Sequence, residues 1–270
     1  MKQGSLYEAL FQIGTLIFVI IIVHATYVTV IRPNAELIQE QQQLMQEQNP
    51  DIVPERSVFI IVRDYEQEFC IIFFLWAVTI IGMKTQHTLR QRTLLERTLV
   101  KLQDGMSILP EDSRNYARPV QALGPKEKEF LLPRALLAGL HRFQSTQNIH
   151  AVSSIIKDTC ETEADRMETE LSIVRYIAWA IPSIGFLGTV RGIGTALGQA
   201  YQAVAGDIAG VTQSLGVAFN STFVALVVSI FLMFLLHQLQ LQQDRLVLDC
   251  QNYCDERLIR HMQVPEKANS

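Results

Sequence analysis

Apolar residues in this chain are concentrated in long runs that polar stretches separate. A helix needs about 20 predominantly apolar residues to cross the hydrocarbon core of a bilayer. Four runs reach or approach that length, at 11–31, 58–83, 172–201 and 214–237. Because a helix satisfies its own backbone hydrogen bonds in lipid, we predict an all-α integral membrane protein with four transmembrane helices.

The first run could be either a transmembrane helix or a cleaved signal peptide. It is longer than a typical signal-peptide core, and no small-x-small cleavage site follows it. We therefore interpret residues 1–31 as an N-terminus followed by the first transmembrane helix. His24 lies inside this helix; an intramembrane histidine is a functional candidate, and a packed, hydrogen-bonded side chain is the alternative.

The second run, 58–83, contains charged residues near its start. Its purely apolar part, 69–83, has about 15 residues, which is short for a full crossing. We expect the charges to lie at the bilayer edge or to be buried against other helices. The acidic members of this cluster are Asp64, Glu66 and Glu68.

The segments between the apolar runs are polar. Residues 32–57 are rich in glutamine and contain three prolines, so we predict a periplasmic loop with one or two helical turns around 35–47. Residues 202–213 should form a second periplasmic turn. Residues 84–171 and 238–270 show amphipathic helical patterns, and we predict that they form a helical cytoplasmic domain and a C-terminal helix; only 104–125 is expected to be a loop.

The distribution of lysine and arginine predicts the orientation of these helices. Residues 84–175 hold 14 of them and the tail after 238 holds four, whereas 32–57 holds two and 202–213 none. Positive residues are enriched on the cytoplasmic side. The N-terminus, the large polar segment and the C-terminus are therefore expected in the cytoplasm.

Composition and local motifs argue against several classes of function. The net charge of −4 gives no electrostatic basis for binding nucleic acid. The four cysteines lack the spacing of a zinc or redox site, and the polar segment contains no nucleotide-binding or hydrolase motif. We expect no enzyme activity, no catalytic residue, no metal site and no cofactor.

Residues 181–200, which read IPSIGFLGTVRGIGTALGQA, are unusual for a membrane helix in their density of glycine. Small residues spaced four apart allow helices to pack closely in a bilayer. Gly188 and Gly192 form one such pair, and Gly194 and Gly198 form another. With Pro182 near the start of the stretch and polar residues within it, the pattern is typical of a pore wall.

Residues 181–193 resemble the third transmembrane signature of the MotA/TolQ/ExbB channel subunits. The match is closest to the TolQ/ExbB form, although the four-crossing layout resembles MotA; it extends over about 165–240. This sequence departs from the pattern at Ile181, Phe186 and Arg191. The resemblance implies helix kinking and packing roles for Pro182, Gly185, Gly188 and Gly192.

The fourth run contains AFNSTFVAL at 218–226, which is similar to the family's fourth-helix pattern and places Thr222 at its pore threonine. With Thr189 of the third helix, the resemblance implies an ion pathway that also includes Ser221 and Asn220. The alternative is that these hydroxyls bond to carbonyls of their own helices.

The resemblance also implies a partner and a mechanism. A single-pass protein of the MotB/TolR/ExbD type would supply a membrane Asp inside a ring of this chain, a homopentamer in the family. Proton or sodium flow through an inner-membrane stator would then drive rotation. Flagellar torque, envelope energisation and a Zorya-type defence motor stay open, and a non-conducting scaffold is the alternative from another class.

Arg191 lies deep in the third helix. A charge there costs roughly 2.5 kcal/mol or more unless it is paired or reaches the interface. We expect it to form an ion pair with Asp64, Glu66 or Glu68, and snorkelling to the outer interface is the alternative.

Overall fold

The computed structural model describes residues 2–48, 57–100, 106–206 and 208–264. The described residues form helices joined by short turns, and the one β-type contact among them is an isolated parallel bridge between Ile108 and Met262. The predicted all-α fold class is confirmed. The α-helices are α1 Lys2–Thr26, α2 Arg32–Gln48, α3 Val58–Ile61, α4 Tyr65–Leu95, α5 Ser113–Gln121, α6 Pro125–Lys128, α7 Leu131–Thr146, α8 Ile149–Glu170, α9 Ser172–Gly198, α10 Ala200–Val204 and α11 Ala209–Arg257.

Four helical stretches in the described residues are long and apolar enough to cross a membrane. They are Leu10–Gln42, Tyr65–Leu95, Ile149–Gly198 and Ala209–His261. Large apolar side chains along them face outward, as Trp179 at 69% exposure and Phe186 at 66% show. Outward apolar surface of this kind suits lipid or a neighbouring subunit. The prediction of four transmembrane helices is confirmed, and the protein is a multi-pass membrane protein.

The chain divides into two units. The apolar unit comprises 1–82 and 173–236, and the polar unit comprises 83–172 and 237–270. Along the sequence, the unit boundaries fall inside α4, after the first residue of α9 and inside α11.

Helix continues where the sequence predicted a loop with only one or two turns. A π-helical turn, Tyr27–Ile31, joins α1 directly to the 17-residue α2. Glutamine, glutamate and leucine are good helix formers. Pro33 is the second residue after the π-helical turn, so the irregular part of the helix lies beside the residue that has no N–H to donate. Residues 49–56 of the predicted loop lie outside the described residues.

The second crossing is broken near its start. The short α3 ends at Ile61, and α4 begins at Tyr65 and runs to Leu95, well past the predicted end at 83. Between them, the backbone N–H of Glu68 donates to the carbonyl of Asp64. The charged cluster therefore occupies the junction and the first turn of α4.

The third and fourth crossings extend beyond their predicted bounds of 172–201 and 214–237. Helix α8 precedes α9 with an interruption only at Leu171, as expected from the pattern, and α11 runs for 49 residues through the predicted C-terminal helix. The turn predicted at 202–213 is largely replaced by α10 and the start of α11. Gly206 adopts a φ of 101° between them, and residue 207 lies outside the described residues.

The polar unit has its own apolar core. Leu132, Leu136, Leu140 and Phe143 on α7 are each at most 2% exposed and belong to a cluster that includes residues of α5, α8 and α11. Helix α5 corrects the prediction of a loop over 104–125. Pro119 lies inside α5 and made the segment resemble a loop, but burial of Ala117 and Val120 holds the helix in place.

Candidate functional site: an ion pathway and its charged flank

Three glycines of α9 allow that helix to approach α11 closely. A Cβ atom on Gly192 would lie 2.7 Å from the Cβ of Ala218, and one on Gly188 would lie 2.5 Å from the Cβ of Ser221. Gly185 faces Ala225 in the same way. Any larger residue at these positions would force the two backbones apart, so the contact is specific to glycine.

The predicted pairing role of Gly194 and Gly198 has a different outcome. A Cβ atom on either residue would meet no described atom within 4 Å. The structure therefore places this second pair away from the α9–α11 contact, and the close approach ends at Gly192.

Thr189 and Thr222 meet at the centre of the α9–α11 contact. Their hydroxyl groups contact each other. The Thr189 hydroxyl lies 3.1 Å from the carbonyl oxygen of Ala218, and the Thr222 hydroxyl lies 3.1 Å from that of Gly185. Both side chains thus reach carbonyls of the opposite helix, although Thr189 also lies 3.3 Å from the carbonyl of Gly185 on its own helix.

The other two predicted pathway residues lie on different sides of α11. Asn220 is half-buried and lines, with Thr222, a groove of about 800 Å³ between α11 and α3. Ser221 is 1% exposed, and its hydroxyl donates to the carbonyl of Val217 on its own helix at 2.9 Å. The structure therefore brings Thr189, Thr222 and Asn220 into one region, while Ser221 faces α4.

Gln67 on α4 is a polar residue that the sequence reasoning missed. It is fully buried, and its Nε2 lies 3.1 Å from the carbonyl oxygen of Ile61 and 3.4 Å from the Ser221 hydroxyl. Its Oε1 has no hydrogen-bond partner among the described residues. The signal that could have identified it is a neutral polar residue between two acids in an apolar helix.

Arg191 forms a bidentate ion pair with Glu66. Its Nε lies 2.6 Å from Oε1 and its Nη2 lies 2.8 Å from Oε2 of the carboxylate. Glu66 is 8% exposed, whereas the Arg191 side chain is half exposed. Parallel N–H···O bonds of this kind are among the stronger polar contacts in proteins, and they neutralise a carboxylate beside Gly188.

Among the described residues, the ion pair of Arg191 is with Glu66, and the other two carboxylates of the cluster have different nearest cations. Glu68 is buried and binds His24, whose Nδ1 lies 2.7 Å from Oε1, and Arg32, whose Nη2 lies 2.5 Å from Oε2. Asp64 lies 3.9 Å from the Nε of Arg63. The acidic neighbour of His24 was missed because it lies on α4, not on the histidine's own helix.

Pro182 does not end α9, which runs unbroken from Ser172 to Gly198. A proline has no N–H, so the carbonyl four residues earlier, that of Ala178, loses its helical partner. The hydroxyl of the buried Ser229 on α11 donates to this carbonyl at 3.3 Å. A side chain of the neighbouring helix therefore replaces the backbone hydrogen bond that the proline cannot make.

Among the described residues, no group of three or more His, Cys, Asp or Glu side chains is placed to hold a metal ion. All four cysteines are buried and free.

The profile of the MotA/TolQ/ExbB proton channel family matches residues 127–252, a stretch that contains all of α9 and the threonine pair. The resemblance noted from the sequence is confirmed over that stretch. No curated protein and no solved structure matches the chain.

Proposed function

Because residues 127–252 match the profile of the MotA/TolQ/ExbB proton channel family, we propose that the protein is the pore-lining subunit of an ion-driven motor. The observation that carries the proposal is the hydroxyl pair of Thr189 and Thr222, held between α9 and α11 at the glycine contact. In a channel, backbone carbonyls and polar side-chain groups that line the pore replace the hydration shell of the permeating ion.

The pathway needs an acid from another polypeptide. The stretches 172–198 and 209–236 contain no Asp or Glu, and the carboxylate of Glu66 beside Gly188 is engaged by Arg191. A threonine hydroxyl does not ionise near neutral pH, whereas a carboxyl group does and can therefore carry a charge through a protonation cycle. A single-pass partner of the MotB/TolR/ExbD type with a membrane Asp would supply that group at the centre of a homo-oligomeric ring, a pentamer by analogy with the family.

The proposed location is the bacterial inner membrane with both termini in the cytoplasm. The excess of Lys and Arg in 84–175 supports this orientation. A proton or a sodium ion would move from the periplasm past the threonine pair, and the protonation cycle of the partner's Asp would turn the ring against the partner.

The test is ion flux through the purified complex of this chain with a single-crossing partner of the proposed type. Thr189→Val and Thr222→Val preserve side-chain volume and remove the hydroxyl. We expect each variant to assemble normally and to lose at least tenfold in flux, a loss of about 1.4 kcal/mol of barrier stabilisation.

Thr195→Val on α9 is the matched control, because the Thr195 hydroxyl donates only to the carbonyl of Arg191 on its own helix. Its flux should equal that of the wild type. Undiminished flux in both pathway variants would remove the threonines from the mechanism. A wild-type complex that conducts nothing would favour the non-conducting scaffold.

A further inference from the structure

A cavity in the polar unit has the chemistry of an anion site. It has a volume of about 340 Å³ and lies between α5 and α7. Ligand cavities in proteins are about 300–1,000 Å³, so this one suits a small ligand. Its wall is formed by Ser113, Arg114, Ala117, Arg118 and Gln121 of α5 and by Leu140, His141 and Gln144 of α7.

The cationic side chains of the wall have no polar partner among the described residues. Arg114 and Arg118 are four residues apart on α5 and therefore share a face of the helix. Neither they nor His141 makes a side-chain ion pair or hydrogen bond with any described residue. Glu111 and Asp112 precede α5, but neither contributes to the wall. The wall thus carries positive charge with no acidic counterpart.

Ser113 supplies an independent observation. It is 1% exposed, it belongs to the cavity wall, and its hydroxyl has no hydrogen-bond partner among the described residues. An unpaired buried hydroxyl costs free energy unless something else satisfies it. Ser113 is also the first residue of α5, directly after the 3-10 turn Pro110–Asp112.

We propose that this cavity binds a small phosphate-bearing ligand. Two guanidinium groups, an imidazole and a hydroxyl provide more donors than the two oxygens of a carboxylate can use, whereas a phosphate group offers three or four oxygens. A free phosphate compound and the headgroup of an anionic lipid present the same chemistry. The proposal is independent of ion conduction, because the cavity contains no pathway residue.

The test uses the full chain in nanodiscs of phosphatidylcholine. Pyrophosphate is titrated into it by calorimetry, and the wild type should bind one molecule per chain in a saturable manner. Arg114→Gln with Arg118→Gln removes two charge-assisted contacts and should weaken binding at least tenfold. Ser113→Ala should weaken it severalfold.

Arg142→Gln is the matched control. Arg142 is an exposed arginine adjacent to His141 on α7, but it is not part of the wall, so its variant should bind like the wild type. Melting temperatures of all variants verify that they fold.

A second arm distinguishes the source of the phosphate. Nanodiscs containing phosphatidic acid replace those of phosphatidylcholine, and the melting temperature of the wild type is compared with that of the double arginine variant. A rise confined to the wild type, without pyrophosphate binding, identifies a lipid headgroup as the ligand. Absence of both effects, or equal binding by wild type and double variant, overturns the proposal.

Discussion

Single residues in the apolar unit show how buried carboxylates are kept in a bilayer. Glu66 forms an ion pair with Arg191, and Glu68 contacts both Arg32 and His24. An unpaired charge in such surroundings is far more costly than a paired one. These acids are therefore satisfied within the chain, which is consistent with a separate acid acting in the proposed ion step.

The Arg191–Glu66 pair gives a prediction about stability. Arg191→Leu leaves the buried Glu66 carboxylate without its two charge-assisted bonds, and we expect a loss of about 2 kcal/mol; the half-exposed position of Arg191 keeps the loss below that of a fully buried pair. Thermal unfolding in detergent measures it.

Arg191→Leu combined with Glu66→Leu should recover most of that loss, because no charge is then left unpaired. Equal melting temperatures for wild type and Arg191→Leu would show that the pair contributes nothing.

The partners of these charged residues could be predicted only in part. Sequence reasoning reduced the partners of Arg191 to three carboxylates, because all three lie in one short stretch of the second run. It could not select Glu66, since the choice depends on how α4 rotates against α9. It missed the contact of His24 with Glu68 for the same reason. The two residues are 44 positions apart in the sequence, and only the packing of α1 against α4 brings them together.

At the scale of elements, α9 and α11 behave as one packed pair. Glycines on α9 face small residues on α11, the threonine hydroxyls cross the interface, and Ser229 satisfies the carbonyl that Pro182 leaves free. The proline therefore makes α9 depend on its neighbour for a hydrogen bond that an ordinary helix makes alone.

This dependence predicts a coupled effect of two substitutions. Ser229→Ala alone leaves the Ala178 carbonyl unsatisfied and should cost about 1 kcal/mol in a background that contains Pro182. In a Pro182→Ala background, the new N–H bonds to that carbonyl, and Ser229→Ala should have little effect.

A double-mutant cycle of melting temperatures measures the coupling. Additive effects of the two substitutions would mean that Ser229 does not compensate for the proline.

The elements that the sequence predicted well are those whose apolar runs are long. The four crossings follow directly from run length, because the bilayer imposes it. The length of α2 was underestimated and α5 was missed, because Pro33 and Pro119, with many polar neighbours, are also typical of loops. In α5 the burial of Ala117 and Val120 decided the outcome, and tertiary packing of this kind overrides local propensity.

At the scale of the whole molecule, the chain comprises two units. The apolar unit holds the threonine pair and the paired charges, and the polar unit holds an apolar core of its own and the cavity between α5 and α7. With an even number of crossings, both termini are expected on the same side of the membrane.

The orientation can be tested by cysteine labelling in whole cells, because all four native cysteines are buried. Ala205 and Ser145 are both exposed, the first at the end of α10 and the second on α7. Ala205→Cys should react with a membrane-impermeant maleimide added outside. Ser145→Cys should react only after permeabilisation, and the reverse pattern would invert the proposed topology.

The threonine pair has one further consequence. Each hydroxyl carries a single proton, so the hydrogen bond between the two threonines can point in either direction. When Thr222 donates to Thr189, and Thr189 to the Ala218 carbonyl, the oxygen of Thr222 keeps its lone pairs open. When the direction reverses, with Thr222 donating to the Gly185 carbonyl, it is the oxygen of Thr189 that stands open. A protonated group in the pathway would therefore find its acceptor oxygen on α11 in the first arrangement and on α9 in the second. Reorienting the two O–H bonds would move that acceptor from one helix to the other without moving either backbone.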